Sequence, residues 1–291
     1  MVSLLSPFRR IIPKRWRKDA PLVPVVRLSG PIGLPAPLVT MLTFETAAPL
    51  LDRAFRIKDA PAVALIVNSP GGSAVQSHLI FKRIRALAET HSKPVYVFIE
   101  DAAASGGYMI ACAGDEIIAD PSSIVGSIGV VSAGFGFDRA IERLGIDRRV
   151  YTAGDRKVML DGFQPEKPED VRRLRALQKD IHKTFMALVK ERRGKELDGS
   201  DRTLFSGEFW AGQKALDLGL IDQIGDIRSF LFEKYGDKVR MVPIAARRGL
   251  FNRPRPGVSA MTDGIVELAE RWPDSALSAV EARMLWQRLG L

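Results

Sequence analysis

The four residues Ala104-Ser105-Gly106-Gly107 set a hydroxyl between two kinds of backbone, a run that reads as a buried strand and an apolar run that reads as a helix. A serine at such a joint can expose its Oγ beside N–H groups that no helical carbonyl claims, which is where a nucleophile would act. A second joint is built alike: Asn68-Ser69-Pro70-Gly71-Gly72-Ser73 follows the strand-like run 62–67. If the two strands are neighbours in one sheet, the turns meet at one edge and their free N–H groups converge on one oxygen. Such donors stabilise the oxyanion of acyl transfer, each worth about 3–4 kcal/mol, and glycine lets a substrate carbonyl come close to the main chain. Two ordinary glycine turns serving close packing fit the spacing equally well.

A serine also needs a base. Histidine is the commonest, but His78, His91 and His182 lie far apart, and none falls after Ser105 until His182. A lysine can substitute in Ser–Lys variants of the triad. It must then be neutral, its pKa held well below about 10.4 by burial or a cationic neighbour. Lys157, in TAGDRKVMLDGF (152–163), follows a strand-like run and precedes Val158, Met159 and Leu160. Its neighbours Asp155 and Arg156 fit a side chain facing water as readily as a base.

The 291 residues allow one large α/β domain or two ordinary ones, and 46% apolar with 26% charged residues is the balance of a soluble globular protein. One cysteine, Cys112, excludes an internal disulfide framework, and its apolar surroundings read as inert packing. No cofactor motif and no metal-ligand spacing is visible. The net charge of +9 gathers at residues 9–18 and 247–256. A solvated tail explains the first block. Contact with an anionic membrane is the rival reading, because Phe8, Ile11, Ile12 and Trp16 are interleaved with the charges. No nucleic-acid module accompanies them. The opening MVSLLSPF is far shorter than the roughly 20 apolar residues of a span, and it precedes its basic block, the reverse of a secretory signal. The expectation is therefore a cytoplasmic or peripheral protein without a transmembrane helix or signal peptide.

Strand-like runs at 21–28, 62–67, 94–100, 115–120, 123–132 and 147–154 alternate with helical patterns at 39–56, 78–89 and 137–146, which predicts a parallel layered α/β fold. A long helix over 168–193 carries apolar residues at Leu174, Leu177, Ile181, Phe185 and Leu188, a stripe that packing alone explains. Residues 208–225 read as a helix stopped near Gly219, a turn and a last element. Expected domain bounds are a basic tail at 1–21, the main domain at 22–240, and an Arg/Pro-rich linker with a helical extension at 241–291.

Three motifs in order, VNSPGGS, AASGGYMIACAGDEIIADPSSIVGSIGV and WAGQKALDLGLIDQIG, resemble the signal peptide peptidase A family of serine peptidases, including SohB-type members. The likeness runs from about residue 24 to 225. It implies a crotonase/Clp-protease-like fold, a serine peptidase acting on signal-peptide remnants or other hydrophobic peptides, and a homo-oligomeric ring with inward-facing sites. It also implies Ser105 as nucleophile, Lys157 as base, Ser127 holding the lysine amine, and Gly106 with Gly72 (in slight preference to Gly71) as oxyanion donors. No cofactor or metal is implied. A catalytically silent scaffold of the same family and a crotonase-type acyl-CoA enzyme, with Asp115 or Glu116 for proton work, are the rival readings.

Overall fold

A computed structural model describes residues 20–33, 41–154, 156–245, 280 and 283–291. The basic clusters and the start of the expected C-terminal helical patch lie outside the described residues. In chain order the elements are β1 (Leu22–Ser29), α1 (Phe44–Phe55), β2 (Val63–Ser69), α2 (Ala74–His91), β3 (Val95–Ala104), α3 (Gly106–Ala111), β4 (Glu116–Ala119) and β5 (Ile124–Gly126). They continue as α4 (Asp138–Arg143), α5 (Pro168–Arg193), α6 (Asp201–Leu204), β6 (Phe209–Ala211), α7 (Gly212–Asp217), β7 (Gln223–Ile224), α8 (Ile227–Tyr235) and β8 (Arg240–Pro243).

The sheet runs β6-β5-β3-β2-β1-β8, with β4 on β3 and β7 on β4. Every pairing is parallel except β5 with β6. Continuous apolar runs such as VALIV in β2 are what a strand covered on both faces requires, and both faces are covered. One buries Leu28, Leu65, Val97 and Ile99 under Leu51, Phe55, Ile80 and Phe185 of the helices. The other buries Val25, Ala64, Tyr96 and Phe98 under Phe230 and Leu231 of α8. The period of two along β3 sorts its residues between the layers.

β3 changes partner along its length. Tyr96 to Ile99 pair with β4, whereas Ala102 to Ala104 pair with β5. The end of β3, where Ser105 begins, is therefore held between β2 and β5.

Two expectations are corrected. The helix read over 39–56 starts at Phe44, because Thr43 and Thr46 form a reciprocal capping box that satisfies the first free N–H groups. The strand read over 147–154 does not form. Val150 and Tyr151 have strand propensity, but no strand among the described residues pairs with them to complete a ladder, and Tyr151 is 91% exposed. β8 crosses the expected domain bound at 240 and pairs with β1 from Leu22 to Val25.

The end of α5 is tied to the sheet by a buried cation. Arg193 donates to the Gly219 carbonyl at 2.9 and 3.2 Å and to Asp222 at 2.9 Å, while Asp222 accepts from the N–H of Ile117 at the start of β4. Arg193→Met should cost about 2 kcal/mol, chiefly because it strands the Gly219 carbonyl that the buried guanidinium holds. The readout is a lower urea midpoint at unchanged slope.

Candidate active site

Ser105 is the residue between β3 and α3, and its backbone is unusual: φ 52°, ψ −119°, a conformation that favours glycine. Its own N–H donates to the Gly126 carbonyl at 2.8 Å, which locks the elbow to β5. A serine on a sharp strand-to-helix turn presents its Oγ outward instead of packing it.

The two glycine turns meet, as the shared sheet edge predicts. β2 and β3 are adjacent and parallel, with Ser69 opposite Ala103. A Cβ built on Gly71 would lie 2.7 Å from both the Ala104 carbonyl oxygen and the Ser105 Cβ. One built on Gly72, at φ +138°, would lie 1.9 Å from the Ile32 carbonyl oxygen. The N–H of Gly71 donates to Ser69 Oγ at 3.2 Å. Those of Gly72 and Gly106 find no acceptor among the described residues. Of the two glycines weighed as donors, Gly72 is the one whose N–H is unclaimed.

Ser127 follows β5 and also sits at φ 52°. Ala104 is in register with Gly126, so Ser127 stands beside Ser105, and its N–H is fixed by the Glu208 carbonyl at 2.6 Å. Gly72, Ser105, Gly106 and Ser127 all line one cavity of about 630 Å³. Four members of the α5 stripe, Leu174, Leu177, Ile181 and Phe185, line it too. The sequence showed their periodicity but not that α5 crosses the mouth of the sheet.

Lys157 is not brought there. It lies in a turn closed by its N–H on the Gly154 carbonyl, is exposed, and is absent from the cavity lining. Around it the segment 131–163 exposes Val131, Phe135, Phe137, Leu144, Ile146 and Tyr151, large apolar side chains of the kind that associate when they are contiguous.

The histidines offer no substitute base in the lining. His78 stacks on Phe81, and burial followed by the charge of Lys82 pushes its pKa down. The His182 ring nitrogen Nε2 lies 3.1 Å from the Ile128 carbonyl, bracing the chain just after Ser127. Asp115 and Glu116 do structural work. Asp115 accepts from Val95 N–H and pairs with Arg85 and Arg192, and Glu116 pairs with Lys234. No carboxylate is among the described residues lining the cavity.

Cys112 is fully buried, and burial pushes its thiol up to about 12. It should not react with a maleimide at neutral pH in the native protein, and should react fully once the chain is unfolded.

Residues 8–134 match the family model described as ClpP-like SDH-type serine proteinase, and the layered, mostly parallel α/β sheet is consistent with that Clp-protease-like fold. Residues 88–234, half of the chain, match the model of peptidase family S49. The chain belongs to that family, as an SppA/SohB-type member. It is 29% identical to the chloroplastic serine protease SPPA of Arabidopsis thaliana over 243 residues, 81% of this chain and 35% of that protein. It is 55% identical over 287 residues to a Brucella abortus (strain 2308) protein named Na(+)/H(+) antiporter NhaA, 97% of this chain and 39% of that protein. The chain thus spans between a third and two fifths of the length of these relatives. Among the described residues no helix is long and apolar enough to cross a membrane. Among solved structures, a serine-to-alanine mutant of the 1510-N membrane-bound stomatin-specific protease aligns over 78% of this chain and 99% of its own, at a TM-score of 0.49 and 17% identity.

Proposed function

We propose that this chain is a serine endopeptidase with Ser105 as nucleophile and Lys157 as general base. The observation that carries the reading is the elbow: a serine in a glycine-favoured conformation, sharing a cavity with two glycines whose N–H groups have no acceptor among the described residues. Ser105 Oγ attacks the peptide carbonyl while the neutral amine of Lys157 takes its proton. The N–H groups of Gly72 and Gly106 hold the oxyanion. As the C–N bond breaks, the lysine ammonium returns the proton to the leaving amine, and water then hydrolyses the acyl ester on Ser105. Ser127, beside Ser105, holds the lysine amine in line.

In a single copy Lys157 stands on an exposed arm. The base therefore comes from an adjacent copy in a homo-oligomeric ring, whose contacts cover the apolar side chains of residues 131–163. Leu177, Ile181 and Phe185 give the cavity walls suited to apolar side chains, which supports hydrophobic peptides, signal-peptide remnants among them, as substrates. We assign the peptidase unit to residues 22–243, because β8 completes the sheet beside β1, with a basic tail before it and an extension after it. The NhaA name of the Brucella relative is a further reason to look for the enzyme at the cytoplasmic face of a membrane.

The test is intact-mass spectrometry of the assembled protein after a fluorophosphonate probe, across about pH 6 to 10. One adduct, mapped to Ser105 and forming faster as an amine base loses its proton, is the expected result. No adduct, or one on another serine, would sink the proposal and leave the silent scaffold.

A further inference from the structure

Residues 283–291 fold back onto the carboxyl end of the sheet. Leu289 is buried against Ala102 and Ala104, with Ile124 and Trp286 packed beside them. The N–H groups of Leu289 and Leu291 both donate to the Trp286 carbonyl, closing the turn. Ala104 is the residue before Ser105, so this docking brings the segment to the cleft, where Leu285, Arg288 and Leu289 join the lining. Leu285 and Leu289 are one helical turn apart, and Arg288 shares their face at the i,i+3 position.

Arg288 is the one charged side chain among the described residues that line the cavity. Arg288 is exposed at the edge of the cavity, free to turn toward a bound peptide, and its planar fork matches a carboxylate in two hydrogen bonds. No carboxylate in the lining competes for it.

We infer that Arg288 is a specificity residue of the cleft, binding a carboxylate carried by the peptide substrate. The inference rests on the peptidase reading and narrows it. The preferred substrate is an apolar peptide with one anionic group, supplied by a free C-terminus or by an acidic side chain.

Binding can be read without cleavage in full-length Ser105→Ala protein. Four fluorescent peptides share one apolar core: a C-terminal acid, its amide, and internal Asp and Asn versions of the amide. The peptide with the recognised carboxylate should bind about tenfold more tightly than its neutral partner, and the pair that shows the difference identifies the source. Adding Arg288→Gln should erase the difference while leaving the neutral peptides unchanged. Arg288→Glu should disfavour the acid. Leu289→Asp, which undocks the segment from Ala102 and Ala104, should also erase it. On protein with Ser105 intact, the Arg288→Gln effect should fall on KM with kcat steady. Equal binding of acid and neutral peptides before Arg288 is changed would overturn the inference, as would a preference that survives Arg288→Gln. Tighter binding of all four peptides to Arg288→Gln would overturn it too, by making the segment an obstruction. Failure of every peptide to bind defeats the inference alone, since fluorophosphonate labelling of Ser105 judges the peptidase reading separately.

Discussion

Ser105→Ala and Lys157→Ala are each expected to lower peptide hydrolysis on the order of 10⁶-fold, the scale of loss when a serine peptidase is deprived of nucleophile or base. Neither should unfold the protein. Ser105 Oγ makes no hydrogen bond among the described residues, and Lys157 is exposed, so the unfolding free energy from urea titration should stay within about 0.5 kcal/mol of wild type. The decisive experiment is a mixture. If a site joins Ser105 of one copy to Lys157 of the next, dissociating and reassembling equal amounts of the two dead variants should restore about a quarter of wild-type activity. Half of the copies bring the serine, and half of their neighbours bring the lysine. A mixture as inactive as its components would mean that both residues act within one copy, and an active Lys157→Ala protein would end its assignment as base.

Gly72→Ala is the second large effect, expected to reduce kcat/KM by about 10²–10³. The added methyl meets the Ile32 carbonyl oxygen at 1.9 Å, in backbone at φ +138° that an L side chain rarely adopts. Main chain cannot yield as a flexible side chain would, so the turn shifts and its N–H leaves the oxyanion. Gly225→Ala is the control: its Cβ meets nothing closer than 3.6 Å and its backbone is not in the left-handed region, and activity should be unchanged. Full activity in Gly72→Ala would place the second donor elsewhere. If the loss in Gly72→Ala came with a collapsed urea midpoint, the cause would be folding, so both quantities must be read on the same sample.

What the sequence reveals here follows the range of the forces involved. β1, β2 and β3 were legible because continuous apolar runs ending in glycine turns are local signals. The joint at Ser105 was legible for the same reason, and the parallel neighbours β2 and β3 bring it to Gly72 as that reading required. β8 was not, since four residues, RMVP, become a strand only through pairing with β1 some two hundred positions earlier. The misread strand at 147–154 is the converse, propensity without a partner. The stripe on α5 was visible as a period of apolar residues, but the surface it would cover was set by how the helix lies across the sheet. Arg288 was beyond local reasoning altogether, because its place depends on Leu289 finding Ala102 and Ala104.

The exposed position of Lys157 has a consequence for a cell that must make such an enzyme. If the base reaches Ser105 only across a contact between copies, a freshly synthesised chain carries a nucleophile with nothing to activate it. Hydrolysis then depends on the concentration of chains more steeply than in direct proportion, and dilution switches it off without any propeptide or inhibitor. The apolar arm around Lys157 would act as a quorum, so that indiscriminate cutting is avoided until enough copies have met to close their sites around one another.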